Sequence, residues 1–175
     1  DASIANQTLT TRLAYECINP GTCIRDKDAS AGATAIEDNT SGAAISYTDV
    51  SLTYSATGFA PFTLTYADAG AIRLHGSVTI PASGNDPAFT VDGISNTFVS
   101  KPADLTVTVS GNPGTTSSGS GFTAAGSSFT ALIQASNALG GTTPNFGLET
   151  PAETAQIAIA GLSYPTISNA GSLTS

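Results

Sequence analysis

The chain carries few charges of either sign and very little basic charge. Only five of its 175 residues are Lys or Arg, against thirteen Asp or Glu, so its net charge is −8. Nucleic acids and anionic membranes are bound through basic faces, and this balance argues against both partners. No apolar run reaches the roughly 18 residues that a bilayer-spanning helix needs. We therefore predict no membrane insertion in this segment.

Reactive side chains are almost as scarce, because the chain has one His, two Cys, no Met and no Trp. A Ser or Cys nucleophile needs a base to activate it. The single His75 alternates with Leu74 and Gly76 in a strand-like stretch, and we expect it on the solvent face or near a sheet edge. The thirteen acids show no distinctive pair of the glycosidase kind. We predict that the chain is not an enzyme.

The chain begins at Asp1 with no recognisable signal segment. We expect a processed chain or an excerpt of a longer protein.

Abundant Thr and Ser, 26 and 21 residues, occur among short blocks of Val, Ile, Leu, Phe and Tyr. Apolar and polar residues alternate in these blocks, and period two is typical of half-buried strands. Turn residues separate the blocks at strand-like spacing, which predicts an all-β, immunoglobulin-like β-sandwich. The Ala-rich stretch 29–35 contains Gly32 and is predicted as a loop or strand edge. The predicted strands are Ser51–Tyr54, Phe62–Tyr66, Ile72–Ile80, Leu105–Val109, Phe129–Ala135 and Ala155–Ala160.

A weak internal similarity relates Phe62–Gly70 to Phe129–Gly140, since each is a strand followed by a turn of small residues. Two tandem units explain it, and we predict them at residues 1–98 and 99–175, the second being smaller. The alternative is that Thr-rich strands resemble one another without any repeat.

The two cysteines, Cys17 and Cys23, flank the turn signal Asn19-Pro20-Gly21. A zinc site needs about four ligands, which one His and two Cys do not supply. We predict a local disulfide, which would place the protein outside the reducing cytosol. Two buried free thiols are the alternative.

Calcium is the one cofactor that the loops suit, since it takes oxygen ligands from Asp and Asn side chains and from backbone carbonyls. The weak candidate ligands are Asp26, Asp28 and Asp38. Solvated loop acids, with no cofactor at all, are the alternative.

Asp68 and Gly70 stand between two predicted strands. Asp can accept hydrogen bonds from turn amides and Gly can adopt left-handed backbone angles, so both are predicted to build a corner of the fold. Arg73 is predicted to support this corner by pairing with Asp68 or Asp49.

Several segments together resemble the MshQ-like family. These are large surface proteins encoded with the mannose-sensitive haemagglutinin (MSHA) type IV pilus of Gram-negative bacteria, and much of their length is a domain of unknown function. The family pattern has a longer insertion where this chain has only residues 136–142. The similar segments are Arg12–Cys17 with Cys23, Ser46–Tyr54, Ala60–His75, Phe98–Ala103, Phe122–Phe129 and Thr143–Glu153.

The resemblance implies an extracellular or cell-surface location and a structural or adhesive role without catalysis. Expected partners are proteins, either further copies of the chain or pilus subunits. We expect Thr-rich Asp1–Tyr15 to add as a strand to the open edge of a neighbouring unit. The alternative function is a carbohydrate-binding module of an adhesin, although such sites generally use an aromatic platform and this chain has only five Tyr and seven Phe.

Overall fold

The computed structural model describes residues 4–111 and 122–152, and within these ranges every regular element is a strand. The prediction of an all-β fold is confirmed. In chain order the strands are β1 (Thr8–Asn19), β2 (Ala29–Ala31), β3 (Thr34–Ala35), β4 (Glu37–Thr40), β5 (Thr48–Thr53), β6 (Leu64–Tyr66), β7 (Gly70–Ile80), β8 (Phe89–Ile94), β9 (Phe98–Ser100), β10 (Asp104–Val109) and β11 (Ala131–Ser136).

The large sheet is organised around β1, which is paired along both edges. One edge pairs antiparallel with β7. The other edge pairs antiparallel with β5 at its start and parallel with β4 near its end. Beyond β7, the sheet continues into β8 and β9, both antiparallel to it.

This pairing corrects one prediction. The segment Asp1–Tyr15 was expected to add to a neighbour's sheet, but residues 8–15 belong to the central strand of this chain's own sheet. Their backbone hydrogen-bonding groups are engaged within the chain, so they are not available for strand exchange.

A small sheet, in the order β3-β2-β6, packs against the large one. The stretch 29–35, predicted as loop or strand edge, forms its β2–β3 hairpin around Gly32, which has a φ of 59°. The core lies where β1 faces this sheet, and Tyr15 and Tyr66 meet there edge to face with ring centroids 5.7 Å apart. The result is the sandwich architecture that the alternating blocks predicted.

Five predicted strands correspond to β5, β6, β7, β10 and β11. The sixth, Ala155–Ala160, lies outside the described residues. Strands β1, β4, β8 and β9 were not predicted, although Leu13, Tyr15 and Cys17 on β1 do alternate with Arg12, Ala14 and Glu16.

Contacts divide the chain into two compact units. The first comprises Asp1–Leu105 and Ala135–Glu153, and the second comprises Thr106–Gln134 and Thr154–Ser175. The first unit holds both sheets described above. In the second, most of β10 and β11 forms a two-stranded sheet. The division at residues 98 and 99 stays a prediction.

Cys17 and Cys23 form the predicted disulfide, with their Cα atoms 5.7 Å apart. Cys17 is buried on the core face of β1, and Cys23 packs against the same cluster. The bond therefore ties the turn after β1 to the core.

Replacing both cysteines by Ala is expected to lower the free energy of unfolding by about 2 kcal/mol, because the bond closes a short loop with a sequence separation of 6. Urea denaturation of the oxidised and double-variant proteins measures the difference. Reduction of the native protein with a thiol reagent serves as the control and is expected to shift the midpoint similarly. Two titratable thiols in native, unreduced protein would contradict the assignment.

Candidate functional site

The corner between β6 and β7 is built from Asp68 and Gly70, as the sequence indicated. Asp68 is buried, and its Oδ1 accepts hydrogen bonds from the amides of Ala69 at 2.7 Å and Asn145 at 3.2 Å. Gly70 has a φ of 118°, and a Cβ atom there would lie 2.7 Å from the carbonyl oxygen of Asn19. The corner therefore needs an acceptor at position 68 and no side chain at position 70.

Arg73 has a different partner from the two predicted. It does not pair with Asp68 or Asp49 but binds Glu16 twice, from Nε to Oε2 at 2.7 Å and from Nη2 to Oε1 at 3.1 Å. The strand register explains this, because Arg73 lies directly opposite Glu16 on β1, whereas Asp49 lies opposite Arg12.

Glu16 is the centre of a charged network on the second face of the large sheet. Its side chain is 1% exposed. Besides Arg73, its carboxylate contacts His75 Nε2 at 2.8 Å and accepts a hydrogen bond from the Gly42 amide at 2.9 Å. These contacts, above all the hydrogen bonds from Arg73, lower the pKa of Glu16 to about 2 despite its burial.

The expected placement of His75 on the solvent face or at an edge is wrong. His75 is 5% exposed and lies on β7, which is paired on both sides. Ser77 is on the same face of the strand, yet its hydroxyl accepts a hydrogen bond from Arg12 at 2.6 Å. The polar groups of His75 and Ser77 thus serve a cross-strand network that joins β1 to β7.

A second polar site lies where β2 begins and β6 ends. These strands are antiparallel, with Ala29 opposite Tyr66, so Asp28 and Asp68 reach the same end of the small sheet. Their carboxyl groups are within hydrogen-bonding reach of each other. Burial and the neighbouring carboxylate raise the pKa of Asp28, and burial raises that of Asp68.

The loop at residues 142–148 lies against this pair. Asn145 is fully buried; it donates from Nδ2 to the Tyr66 hydroxyl at 3.3 Å and accepts at Oδ1 from the Ile24 amide at 3.0 Å. Arg25 donates to the carbonyl and hydroxyl oxygens of Thr142. We call Asp28, Asp68 and Thr143, with this loop around them, the acid-pair site.

The sequence did not single out Asn145 or Thr143 as site residues. The available signal was that both flank Pro144, a residue that is common in turns. Their burial depends on packing of this loop against residues more than a hundred positions away, which no local pattern indicates.

The predicted calcium ligands do not gather around one point. Asp26 is exposed, Asp28 belongs to the acid-pair site, and Asp38 accepts a hydrogen bond at Oδ1 from the Lys27 amide at 3.0 Å. In residues 4–111 and 122–152, no three or more His, Cys, Asp or Glu side chains are grouped to hold a metal ion.

A pocket of about 240 Å³ opens beside the corner. Its lining includes Gly70, Phe146, Glu149 and Lys101. Asn19, also in the lining, is held by Thr150, whose amide donates to its Oδ1 at 2.8 Å. Phe146 gives the pocket one aromatic ring beside charged and amide groups.

The two packed sheets, the strand alternation and the local disulfide define a protein of the immunoglobulin-like, all-β class. Residues 1–94 match the family described as domain of unknown function (DUF6701), first Ig-like domain, and residues 101–175 match its second domain. The chain therefore belongs to the DUF6701 family. No curated protein and no solved structure matches the chain. Among the described residues, no helix has the length and apolar character to cross a membrane.

The Glu16 network is expected to make stability fall in acid. Glu16 has a lower pKa in the folded chain than in the unfolded chain, so its contribution is complete above about pH 4.5 and is lost as the pH falls toward 2. Urea midpoints measured between pH 2 and 6 are expected to fall less steeply for Glu16→Gln than for the native protein.

The difference in pH dependence between the native protein and Glu16→Gln reports on Glu16 alone. Asp28 and Asp68 have raised pKa values and make stability rise in acid, but they do so equally in both proteins. Glu37→Gln is the matched control, since Glu37 forms a half-exposed pair with Lys27. If the urea midpoints of the native protein and of Glu16→Gln fell equally steeply with pH, Glu16 would not be the group that makes stability depend on acid.

Gly70→Ala is expected to lower the free energy of unfolding by about 3 kcal/mol, because it adds both backbone strain and a clash with the Asn19 carbonyl. Gly93→Ala is the control, because a Cβ atom there meets nothing within 4 Å. Denaturation curves for both variants test this. Equal stability of the two would show that position 70 tolerates a side chain.

Proposed function

We propose that this chain is a structural module of a bacterial cell-surface protein that contacts neighbouring modules through its β8–β9 side. The observation that carries the proposal is the apolar surface on these two strands. Phe89 and Val91 lie on the same face of β8 and are 47% and 45% exposed, while Ile94 and Val99, at 63% and 62% exposed, lie on the opposite face of the sheet. Exposed apolar residues on one face of a strand, such as Phe89 and Val91, are typical of protein interaction sites.

The position of β8 in the sheet strengthens the proposal. Phe89 lies opposite Ile80, and Val91 opposite Val78 on β7, so both continue the apolar face of the large sheet. Within the described part of the chain, no strand pairs with the outer edge of β8 or β9. An unpaired edge with apolar side chains is suited to strand addition by another chain.

The cell-surface location is supported by the disulfide, which persists outside the reducing cytosol. The resemblance to the MshQ-like family extends the proposal to a Gram-negative surface and an MSHA-type pilus, with copies of the chain or pilus subunits as partners. Fibre formation by strand addition would use the β8 edge, since β1 is enclosed in its own sheet. Polar networks that fasten strands and loops, such as that of Glu16, suit a rigid scaffold.

Val91→Lys is expected to weaken self-association of the purified chain, because it places a charge in the apolar surface. Thr90→Lys is the matched control, with the same added charge on the opposite face of β8. Sedimentation velocity over a range of concentrations measures the effect. A chain that stays monomeric throughout, together with failure of antibodies against it to label intact bacteria, would contradict the proposal.

Carbohydrate binding is the second candidate, and the pocket beside Gly70 favours it. Phe146 supplies one aromatic ring, and Glu149 and Lys101 lie in the same lining. A glycan array with the native chain and Phe146→Ala tests this candidate. Binding that is lost in the variant would support it, and no bound glycan, with or without calcium, would eliminate it.

A further inference from the structure

We propose that the acid-pair site binds one calcium ion, held by the carboxylates of Asp28 and Asp68, with the hydroxyl of Thr143 as a further ligand. This ligand set differs from the one predicted from the sequence, which joined Asp28 to Asp26 and Asp38. The inference does not depend on the proposed function, because a scaffold and a lectin can each use such a site.

The main evidence is a set of buried oxygens without partners. In the described residues, three buried side-chain polar atoms lack a hydrogen bond: Asp28 Oδ2, Asp68 Oδ2 and Thr143 Oγ1. Buried polar atoms are usually satisfied, and each exception needs an explanation. All three belong to the acid-pair site, and a hydroxyl is among them, so the pattern is more than a pair of acids.

Hydrogen bonds on both sides hold together the three segments that carry these oxygens. The Ala67 amide donates to the Asp28 carbonyl at 2.8 Å, which aligns the ends of β2 and β6. The Asn145 amide donates to Asp68 Oδ1 at 3.2 Å, and the Asn137 side chain donates to the Ala67 carbonyl at 2.6 Å. Thr143 lies in the chain between those two attachments, so its loop is held against the pair.

The charge around the site also favours a cation. Asp38 lies close enough to act electrostatically on Asp28, and Asp26 lies near Lys27. Lys27 pairs with Glu37 at 2.9 Å, and Arg25, which hydrogen-bonds Thr142, is the cation that acts electrostatically on both Asp28 and Asp68. Five acids against two bases leave a net charge of −3 here, counting Asp26, Asp28, Glu37, Asp38 and Asp68 against Arg25 and Lys27.

Calcium suits this ligand set better than magnesium does. Calcium accepts carboxylate, hydroxyl and carbonyl oxygens in a flexible arrangement, whereas magnesium demands near-octahedral geometry and retains its waters. The competing explanation is a single proton shared between the two carboxyl groups, as in other close acid pairs. The two explanations predict opposite effects of removing one charge.

Isothermal titration calorimetry and thermal unfolding of the whole, chelator-treated chain at pH 7 test the proposal with calcium chloride as the probe. The native chain is expected to bind one equivalent and to melt at a higher temperature with calcium, and magnesium chloride at the same concentration is expected to give a smaller shift. Asp68→Asn keeps an acceptor for the two amides and is expected to abolish both signals. Asp26→Asn, a nearby exposed acid, is the matched control and is expected to keep them.

Thr143→Val leaves both carboxylates in place and is expected to weaken calcium binding several-fold. This variant tests the proposed site if Asp68→Asn does not fold. Terbium chloride gives an independent readout, through emission sensitised by the nearby Tyr15 and Tyr66. No heat and no melting shift with 1 mM calcium, about the upper limit for extracellular modules, would overturn the proposal. So would an Asp68→Asn variant that is more stable than the native chain with and without calcium, which would indicate the shared proton.

Discussion

The fold depends on one strand being paired along its whole length while its two faces meet opposite environments. Strand β1 presents Leu13, Tyr15 and Cys17 to the small sheet and Glu16 to the other side. A buried carboxylate is costly unless it is paired and hydrogen-bonded. Arg73 and His75 on β7 meet that need only in the observed register, because a slip of one residue would turn both to the wrong face. The charged network therefore specifies how the two longest strands align.

Neutral and acidic side chains perform a similar task at the loops. Asn39, for example, joins the Tyr15 carbonyl to both backbone groups of Ser46, with hydrogen bonds of 2.7 to 3.1 Å. Asn145 Oδ1 and Asp68 Oδ1 likewise accept hydrogen bonds from backbone amides. The acid-pair site departs from this pattern, because Asp28 Oδ2, Asp68 Oδ2 and Thr143 Oγ1 are buried without a hydrogen-bond partner. That contrast separates a ligand site from the many polar contacts that only fasten loops.

The acid-pair site buries polar atoms that have no partner. Strands β8 and β9 instead expose apolar side chains to solvent. Strand β7 is covered on both edges, so its neighbours become the boundary of the sheet. An acidic chain with this boundary is suited to contact with other proteins. The proposed roles as a surface module and as a calcium-binding domain are compatible, because one uses β8 and β9 and the other uses β2, β6 and the 142–148 loop.

Local sequence was sufficient for the all-β class, five of the eleven described strands, the disulfide and the corner at Asp68 and Gly70, because each depends on alternation or on turn residues close in the chain. It was insufficient for the central position of β1 in the sheet, for the partner of Arg73 and for the burial of His75. These depend on which strands lie side by side, and pairing between residues some 60 positions apart leaves no periodic trace. The acid-pair site was even less predictable from local sequence. Its residues come from three separate segments that meet only when the sheets and the 142–148 loop pack together.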